Sequence, residues 1–244
     1  MKDKIRILTL NINNINMQDL LQELQVVLDS KNKKKIIFTP NSEIAVLAFD
    51  DSDFSHMLNR ADYLIPDGAG LLLAARILNR NLKERVAGYD LMKNLLNIIN
   101  GREGSIYFLG GRADVIELAV KNIRREMEDI NIAGYHHGYF DQNKKVKIIK
   151  EINQKEPDIL LVGMGVPRQE EFLDHNIDSL NIKIGLTVGG SFDVLAGKIK
   201  RAPLWMQKIY LEWFYRLLQE PKRFKRMFRL PRFIFLNLKE KYNV

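Results

Sequence analysis

A carboxylate, Asp67, stands between Pro66 and Gly68, where an apolar segment ends and a helix-forming segment begins. Residues 63–65 have the character of a buried strand, and Pro66 has no N–H with which to continue strand pairing. In open α/β sheets, ligands bind where the carboxyl end of a strand meets the following helix. Asp67 could therefore contact a ligand, or it could cap the helix by accepting a backbone N–H. The local pattern leaves both roles open.

Four other strand-to-helix loops carry residues of a similar kind. They are Thr39-Pro40-Asn41, Gly110-Gly111-Arg112, Gly163-Met164-Gly165 with Arg168 and Gln169, and Gly189-Gly190-Ser191 with Asp193. Because parallel strands end at one edge of a sheet, we expect these loops and Asp67 to share that edge. Glycine allows close approach of a ligand, helix N-termini attract phosphate, and the guanidinium groups of Arg85, Arg112 and Arg168 suit a diphosphate. The set predicts a nucleotide or nucleotide-sugar site.

Other common nucleotide and metal fingerprints do not fit. Gly163-Met164-Gly165 supplies only the first two glycines of G-x-G-x-x-G, and Arg168 occupies the third, which disfavours a nicotinamide dinucleotide. No P-loop pattern occurs. Asp51-Ser52-Asp53 imitates a D-x-D metal motif, but it precedes a short helix, so we expect it to cap that helix. We predict neither a metal site nor a cofactor.

The elements that must position these loops alternate between strands and helices. Residues 36–38, 105–109 and 157–162 are apolar without alternation, which is typical of strands buried on both faces of a parallel sheet. We predict an α/β fold, a Rossmann-like and mostly parallel sheet flanked by helices. Residues 5–9 are predicted as the first strand, and the asparagine-rich segment 11–16 as a turn-prone link. Asn41 or Ser42 is expected to cap the helix that follows.

The composition is that of a soluble globular protein. Of 244 residues, 46% are hydrophobic and 28% are charged, which is enough for one sizeable core with or without an appendage. No apolar run approaches the roughly 18 residues that would span a bilayer, and the first residues lack a signal-peptide core, so we expect a cytoplasmic protein. The lack of cysteine excludes disulfides and a cysteine nucleophile.

The formal net charge of +8 is concentrated at the end of the chain. Residues 196–244 hold 13 of the 38 Lys and Arg but only 3 of the 30 Asp and Glu. We predict a catalytic domain over residues 1–195 and a basic, amphipathic helical appendage over 196–244. Its first helix is predicted over residues 204–219, with Lys208, Glu212, Arg216 and Gln219 on one narrow polar stripe.

Basic and aromatic residues alternate in the appendage, most densely over residues 222–229. This mixture suits the surface of a membrane with anionic lipids. A solvated charged face on a docked helix and a nucleic-acid surface are the competing interpretations. The apolar area around the stripe exceeds what one packing face needs, so a homo-oligomer is also possible in which subunit and membrane contacts compete.

Six motifs together resemble one family of bacterial glycosyltransferases, the WecG/TagA/CpsF family. They are Thr39-Pro40-Asn41, the segment 62–68, the segment 85–90, the segment 108–111, the segment 163–170 and the segment 188–193. They occur in the family's order over about residues 5–200, and the family shares the basic C-terminal region. The resemblance is strongest to members that transfer N-acetylmannosamine from a UDP donor to undecaprenyl-diphosphate-linked N-acetylglucosamine, the committed step of wall teichoic acid linkage-unit synthesis.

The resemblance implies an inverting, metal-independent enzyme that forms a β-1,4 link on the inner face of the cell membrane. Asp67 would be the general base, Arg85 would stabilise the leaving diphosphate, and Thr39 and Asn41 would bind sugar or acceptor. Gln169 would bind the donor, and Tyr139 and Asp193 its uracil or ribose. The glycine loops with Arg168 complete the donor-binding set, namely Gly110, Gly111, Gly163, Gly165 and Gly190. Following the family, the appendage would fold over the catalytic edge, and Arg216, Arg223 or Arg226 would reach a diphosphate.

Other functions stay open from the sequence. The donor could be another UDP-sugar, such as N-acetylmannosaminuronic acid or glucose, because no motif identifies the sugar. From other classes, the chain could be a nucleotide-dependent regulatory or nucleic-acid-binding module, or a Rossmann-like dehydrogenase.

Overall fold

The computed structural model describes residues 3–221, 224 and 229–242. The chain divides into two compact units. Unit 1 comprises Met1–Asn16, Thr39–Ala87 and Ile199–Val244, and unit 2 comprises Met17–Phe38 and Gly88–Lys198. In chain order, the elements are β1 (Lys4–Ile7), β2 (Leu10–Asn13), α1 (Met17–Asp29), β3 (Lys35–Phe38), α2 (Ser42–Asp50), α3 (Ser52–Asn59), β4 (Tyr63–Leu64), α4 (Ala69–Ile77), α5 (Gly88–Asn100), β5 (Ile106–Gly110), α6 (Ala113–Glu126), β6 (Ile132–His136), α7 (Gln142–Lys155), β7 (Ile159–Gly163), α8 (Arg168–Asn176), a 3₁₀ turn (Ile177–Ser179), β8 (Ile184–Thr187), α9 (Ser191–Leu195), α10 (Leu204–Lys208), α11 (Glu212–Gln219) and α12 (Arg229–Tyr242).

Unit 2 is built on a parallel sheet. Its strands pair in the order β3-β8-β7-β5-β6, and every residue of β5, β7 and β8 is buried. The helices α6 and α7 pack against β6, and α8 packs against β3, β7 and β8. Strands enclosed in this way have no solvent-facing side, which explains why they are apolar without alternation. The predicted α/β class, a parallel sheet flanked by helices, is confirmed.

Unit 1 begins with a β-hairpin, and here one prediction is wrong. β1 and β2 pair antiparallel, so Asn11 and Asn13 belong to a strand and not to a link. The side chain of Asn13 is buried, and its Oδ1 accepts the N–H of Leu64 at 2.8 Å. The turn preference of asparagine is overridden because its amide finds a partner on β4, while Leu10 and Ile12 enter the core.

Two predicted helix caps in unit 1 are confirmed. The Oδ1 of Asn41 accepts the N–H of Ile44 at 3.1 Å at the start of α2. The Oδ1 of Asp51 accepts the N–H groups of Asp53 and Phe54, both at 3.0 Å, at the start of α3. The D-x-D motif therefore begins a helix, because its first aspartate satisfies two orphan backbone donors.

The helix predicted over residues 204–219 is two helices. α10 ends at a turn in which Tyr210 is left-handed, with φ 63°, and the N–H of Leu211 donates to the carbonyl of Met206 at 2.8 Å. The N–H of Tyr210 donates to the carbonyl of Gln207 at 3.1 Å, which completes a Schellman motif. The break ends the continuous polar stripe, and Glu212 becomes the first residue of α11.

The last helix of the appendage packs against α2 and α4 of unit 1. Phe233 is 1% exposed, and Arg232 makes a bidentate pair with Asp50, with both contacts at 2.6 Å. Arg229 pairs with Glu43 at 2.8 Å. Part of the appendage's positive charge is therefore used in docking. A functional boundary between residues 195 and 196 stays a prediction.

None of the helices in the described ranges is long and apolar enough to cross a bilayer.

Candidate active site

Asp67 lies in the turn between β4 and α4. The N-cap residue of α4 is Gly68, whose φ of 114° is a conformation that side-chain-bearing residues rarely adopt. The backbone N–H of Asp67 donates to the carbonyl of Pro40 at 2.9 Å, and a Cβ at Gly68 would lie 3.6 Å from Cβ of Asn41. The loop 39–41 and the loop 66–68 therefore meet in unit 1, as the sequence predicted for these two loops.

The other two candidates of this loop pair, Thr39 and Asn41, differ in their surroundings. Thr39 is buried, at 8% exposure, whereas Asn41 is partly exposed and caps α2. A cap that accepts one N–H through Oδ1 keeps its Nδ2 amide as a separate donor group. Asn41 can thus hold the loop in place and still present a hydrogen-bond donor.

Arg85 stands next to Asp67 and is shared between two carboxylates. Its Nη2 lies 3.8 Å from Oδ1 of Asp67 and 2.7 Å from Oε2 of Glu212. Oε1 of Glu212 in turn lies 3.5 Å from Nε of Arg201. The four side chains form an alternating row of charges, in which Arg85 is 17% and Asp67 32% exposed. Asp67 is the more accessible of the first pair.

A cavity of about 560 Å³ in unit 1 also has Arg85 in its wall. Its lining combines four cations, one acid and the amides of Asn81 and Gln207 with apolar side chains. The cations are Arg76, Lys83, Arg85 and Lys208, the acid is Glu84, and the apolar part is Leu72, Leu82, Leu204 and Tyr210. Such a lining is complementary to a ligand that carries both negative charge and hydrocarbon.

The glycine loops of unit 2 follow adjacent strands of its sheet. Gly110 pairs with Gly163 across β5 and β7, and the N–H of Gly111 donates to the carbonyl of Gly163 at 2.9 Å. A Cβ at Gly110 would overlap the carbonyl of Gly163, and one at Gly163 would lie 2.7 Å from the carbonyl of Gly189. These glycines let three strand ends approach one another, and so they set the floor of the loop cluster.

A buried pair of side chains ties two of these loops together. Oε1 of Gln169 accepts the N–H of Gly189 at 3.1 Å, and its Nε2 donates to Oε1 of Glu170 at 2.7 Å. Both side chains are nearly fully buried, at 2% and 1% exposure. The other oxygen, Oε2 of Glu170, has no hydrogen-bond partner among the described residues. Burial is the main reason why the pKa of Glu170 is raised from 4.5 to about 7.

The remaining predicted residues of unit 2 lie around this cluster. Nη2 of Arg168 donates to the carbonyl of Gly138 at 2.8 Å, which fixes the loop before Tyr139, an exposed side chain. Asp193 lies in the first turn of α9, whose N-cap is Gly190. Gly165 is left-handed with φ 78°, and a Cβ there would meet no atom within 4 Å. Glycine is favoured at position 165 by the left-handed backbone conformation, and not because a Cβ would clash with a neighbouring atom.

Of the three arginines predicted to reach a diphosphate, Arg216 is described, and its Nε pairs with Glu220 at 3.1 Å on the same helix. Arg223 and Arg226 lie outside the described residues. In the described part of the chain, no group of three or more His, Asp or Glu side chains is arranged to hold a metal ion.

Sequence reasoning missed four side chains of unit 1. Glu212 and Arg201 extend the row of charges, and Lys83 and Lys208 line the cavity. Glu212 had one available signal, since it is one of only three acids in a basic segment of 49 residues. No local pattern places Lys83 and Lys208 together, because the cavity joins segments more than 100 residues apart, and Arg201 meets Glu212 only 11 residues away but across the turn between two helices.

The isolated oxygen of Glu170 predicts a measurable pH dependence of stability. In the unfolded chain this carboxyl loses its proton near pH 4.5, but in the folded chain it keeps it until about pH 7. Its stabilising contribution is therefore complete below pH 4.5 and is lost as the pH rises to 7. Between pH 4.5 and 8, the free energy of unfolding of the wild type should fall by roughly 3 kcal/mol relative to that of Glu170→Gln, because the amide of the variant does not titrate. Urea denaturation at each pH measures it.

Glu117→Gln is the matched control, because Glu117 is exposed on α6. A constant difference between Glu170→Gln and wild type over this pH range would contradict the prediction.

Comparison of the sequence with known proteins identifies the family to which the chain belongs. The sequence profile of the glycosyl transferase WecG/TagA/CpsF family matches residues 5–244. The chain belongs to this family, and the resemblance seen in its motifs is confirmed.

The chain is also similar to individual proteins that carry one and the same enzyme name. A Bacillus subtilis (strain 168) protein is 38% identical over 231 residues, which cover 94% of this chain and 89% of the relative. A Bacillus spizizenii protein is 32% identical over 91% of this chain and 86% of its own length. A Staphylococcus aureus (strain MW2) protein is 31% identical over 99% and 94%. Each of the three is named N-acetylglucosaminyldiphosphoundecaprenol N-acetyl-beta-D-mannosaminyltransferase.

Proposed function

We propose that this protein transfers N-acetylmannosamine from UDP-N-acetylmannosamine to undecaprenyl-diphosphate-linked N-acetylglucosamine, in wall teichoic acid linkage-unit synthesis. The relatives' names support the sugar and the acceptor. The structural observation that carries the proposal is Arg85, which stands beside an accessible carboxylate and also lines a cavity suited to an anionic amphiphile. The side chains proposed as base and as diphosphate-binding cation, and the cavity proposed for the lipid-linked diphosphate, all belong to unit 1.

In the proposed reaction, Asp67 takes the proton of the acceptor's 4-hydroxyl as that oxygen attacks the anomeric carbon of the donor sugar. The new carbon–oxygen bond forms as the bond to the UDP oxygen breaks, so the configuration inverts. UDP leaves with the electron pair of the broken bond. Arg85 compensates the charge that develops on the leaving diphosphate, a role for which a guanidinium needs no metal ion. We accordingly expect chelators to leave the rate unchanged.

The other candidate residues are assigned to binding. Thr39 and Asn41 bind sugar or acceptor, and the amide of Asn41 is held by its cap interaction. Gln169 acts in donor binding through the loop at Gly189, to which it is hydrogen-bonded. Tyr139 and Asp193 contact uracil or ribose. The loops at Gly110, Gly111, Gly163, Gly165 and Gly190, with Arg168, complete the donor-binding set. Arg216, with Arg223 and Arg226, contacts a diphosphate.

The cavity beside Arg85 predicts a charge effect on acceptor use. Lys208→Glu places an anion in a cavity wall that would face the acceptor's diphosphate. A lost charge-assisted contact costs about 1.5–3 kcal/mol, so KM for the lipid-linked acceptor should rise tenfold or more while KM for the donor changes little. Steady-state kinetics with each substrate varied in turn measures the two effects.

Lys239→Glu makes the same charge change on α12, outside the cavity lining, and should leave both KM values unchanged. An equal rise in acceptor KM for both variants would mean that overall charge, and not the cavity, is responsible.

We further propose that the protein acts as a peripheral protein on the inner face of the cell membrane. Several large apolar side chains of the appendage are exposed, namely Leu204, Trp205, Ile209, Trp213, Phe214 and Leu218. Such side chains next to lysine and arginine suit a bilayer surface with anionic lipids, and they could also form a homo-oligomer contact. We expect no nucleic-acid binding.

The test is a transfer assay with the purified protein. It uses UDP-N-acetylmannosamine and a prenyl-diphosphate-linked N-acetylglucosamine, presented in anionic or in neutral vesicles. We expect UDP release, a product heavier by one N-acetylhexosamine, and a higher rate on anionic vesicles. Transfer only from UDP-N-acetylmannosaminuronic acid or UDP-glucose would overturn the proposed sugar. Activity with a nicotinamide cofactor and none with any UDP-sugar would overturn the class of reaction.

A further inference from the structure

The appendage contributes an acid to the surroundings of Asp67 and Arg85. Glu212 accepts a hydrogen bond from Nη2 of Arg85 at 2.7 Å through Oε2, and its Oε1 lies 3.5 Å from Nε of Arg201. Asp67 lies farther from the same Nη2, at 3.8 Å. Both Glu212 and Arg201 belong to the last segment of unit 1, whereas Asp67 and Arg85 belong to its middle segment. Glu212 thus holds the guanidinium by its shorter and stronger contact.

We propose that Glu212 is a positioning residue of the glycosyl transfer, which acts through Arg85. It holds the guanidinium out of a close ion pair with Asp67. This role rests on the proposed function, in which Asp67 accepts a proton and Arg85 faces a diphosphate. No substrate atom needs to touch Glu212.

The reason is competition between two carboxylates for one cation. A charge-assisted N–H···O bond normally measures about 2.7–2.9 Å, so at 3.8 Å the contact between Asp67 and Arg85 is incomplete. If Arg85 closed onto Asp67, it would occupy an oxygen that the acceptor's hydroxyl must approach, and it would turn away from the diphosphate. Glu212 opposes both changes because it already binds the guanidinium at 2.7 Å.

The fold fixes Glu212 where this competition requires it. The residue begins α11, immediately after the turn in which Tyr210 is left-handed. An uninterrupted helix over 204–219 would give it a different direction relative to α10. An acid in the first turn of a helix is also favoured by the helix dipole. At the other end of α11, Gln219 exchanges two hydrogen bonds with the backbone of Lys200, both at 2.8 Å. The helix that carries Glu212 is therefore tied down at both ends.

The test is a double-mutant cycle with Glu212→Gln and Arg85→Gln, singly and together. Glu212→Gln should lower kcat by about 10–100-fold, the equivalent of one charge-assisted hydrogen bond, and should weaken UDP binding through the same guanidinium. In the Arg85→Gln background the same change should have no further effect beyond about threefold, because the partner through which it acts is gone. Glu212→Asp should recover part of the loss.

Asp50→Asn is the matched control, because it removes a carboxylate that also pairs with the appendage, but through Arg232 on α12 and not through Arg85. It should leave kcat unchanged, and thermal melting of every variant verifies folding. Equal losses from Glu212→Gln in both backgrounds, or a faster Glu212→Gln enzyme, would overturn the proposal.

Titration of the same four proteins with UDP separates this proposal from the proposed function. Coupling between the two substitutions in UDP affinity, without transfer of N-acetylmannosamine, would refute the sugar assignment and keep the role of Glu212. If no transfer is detected, two results would overturn the role of Glu212. One is that none of the four proteins binds UDP, and the other is that they bind UDP without coupling between the two substitutions.

Discussion

Asp67→Asn is expected to reduce glycosyl transfer by about 10²–10⁴-fold, because an amide cannot accept the proton that a positioned carboxylate takes. The side chain keeps its size, and the backbone bond from Asp67 to Pro40 and the conformation of Gly68 do not depend on the carboxylate charge. We therefore expect a loss in kcat with the fold intact. The measurement is UDP release with acceptor present, alongside thermal melting.

Asp53→Asn is the informative control for this result. Asp53 is the second acid of the D-x-D motif, and it lies exposed in the first turn of α3. If the motif held a catalytic metal, this variant would lose activity and Asp67→Asn would matter less. We expect the reverse order. Equal turnover by Asp67→Asn and wild type would refute the base assignment.

Phe233→Ala is expected to lower the free energy of unfolding by about 3–5 kcal/mol. The ring of Phe233 is 1% exposed on α12, which packs against α2 and α4. Its removal leaves a cavity that three helices cannot fill by a small shift, since α12 is also held by the pair of Arg232 with Asp50. Chemical denaturation measures the change.

Phe235→Ala tests the same chemistry on the same helix. Phe235 is 64% exposed, so its truncation should change stability by less than about 0.5 kcal/mol. Similar effects of both substitutions would mean that α12 does not pack in this way. A lower affinity of Phe235→Ala for anionic vesicles, with unchanged stability, would support a membrane role for the exposed side of the helix.

The docking of α12 changes how the appendage should be tested. Deletion of residues 196–244 would remove Phe233 and the partner of Glu43 together with any membrane contact. Lost activity would then have at least two explanations, loss of core packing and loss of lipid binding. Single substitutions of exposed apolar residues elsewhere in the appendage, such as Trp205→Ser on α10, leave the packing of α12 intact. They therefore separate loss of lipid binding from loss of core packing.

Features carried by short-range patterns could be predicted. The parallel sheet followed from strands such as 159–163, which are apolar because both faces are covered. The caps at Asn41 and Asp51 followed from polar residues placed before helical runs. The grouping of the loops at Gly110, Gly163 and Gly189 followed from the geometry of parallel strands alone.

Features that depend on distant partners could not be predicted. The strand β2 exists because Asn13 bonds to Leu64, 51 positions away. The break after α10 was hidden because Tyr210, and not glycine, adopts the left-handed conformation of a Schellman turn. The contact between Arg85 and Glu212 spans 127 positions. A charge on a helix surface does not show in advance which distant charge it will meet.

The contacts among Gly110, Gly163 and Gly189 restrict how this enzyme could be redesigned. The obstacle to a larger residue at Gly110 is the backbone of Gly163, and at Gly163 it is the backbone carbonyl of Gly189 together with the ring of Phe192, so that trimming the ring alone would still leave the carbonyl in the way. No second substitution can therefore make room, so these positions have no compensating partners in a mutant library. Libraries that test donor specificity should vary exposed positions such as Tyr139, which we propose to contact the donor, and keep the glycines constant. In this fold, the glycines at the strand ends must stay unchanged, whereas exposed side chains around them can be substituted one at a time.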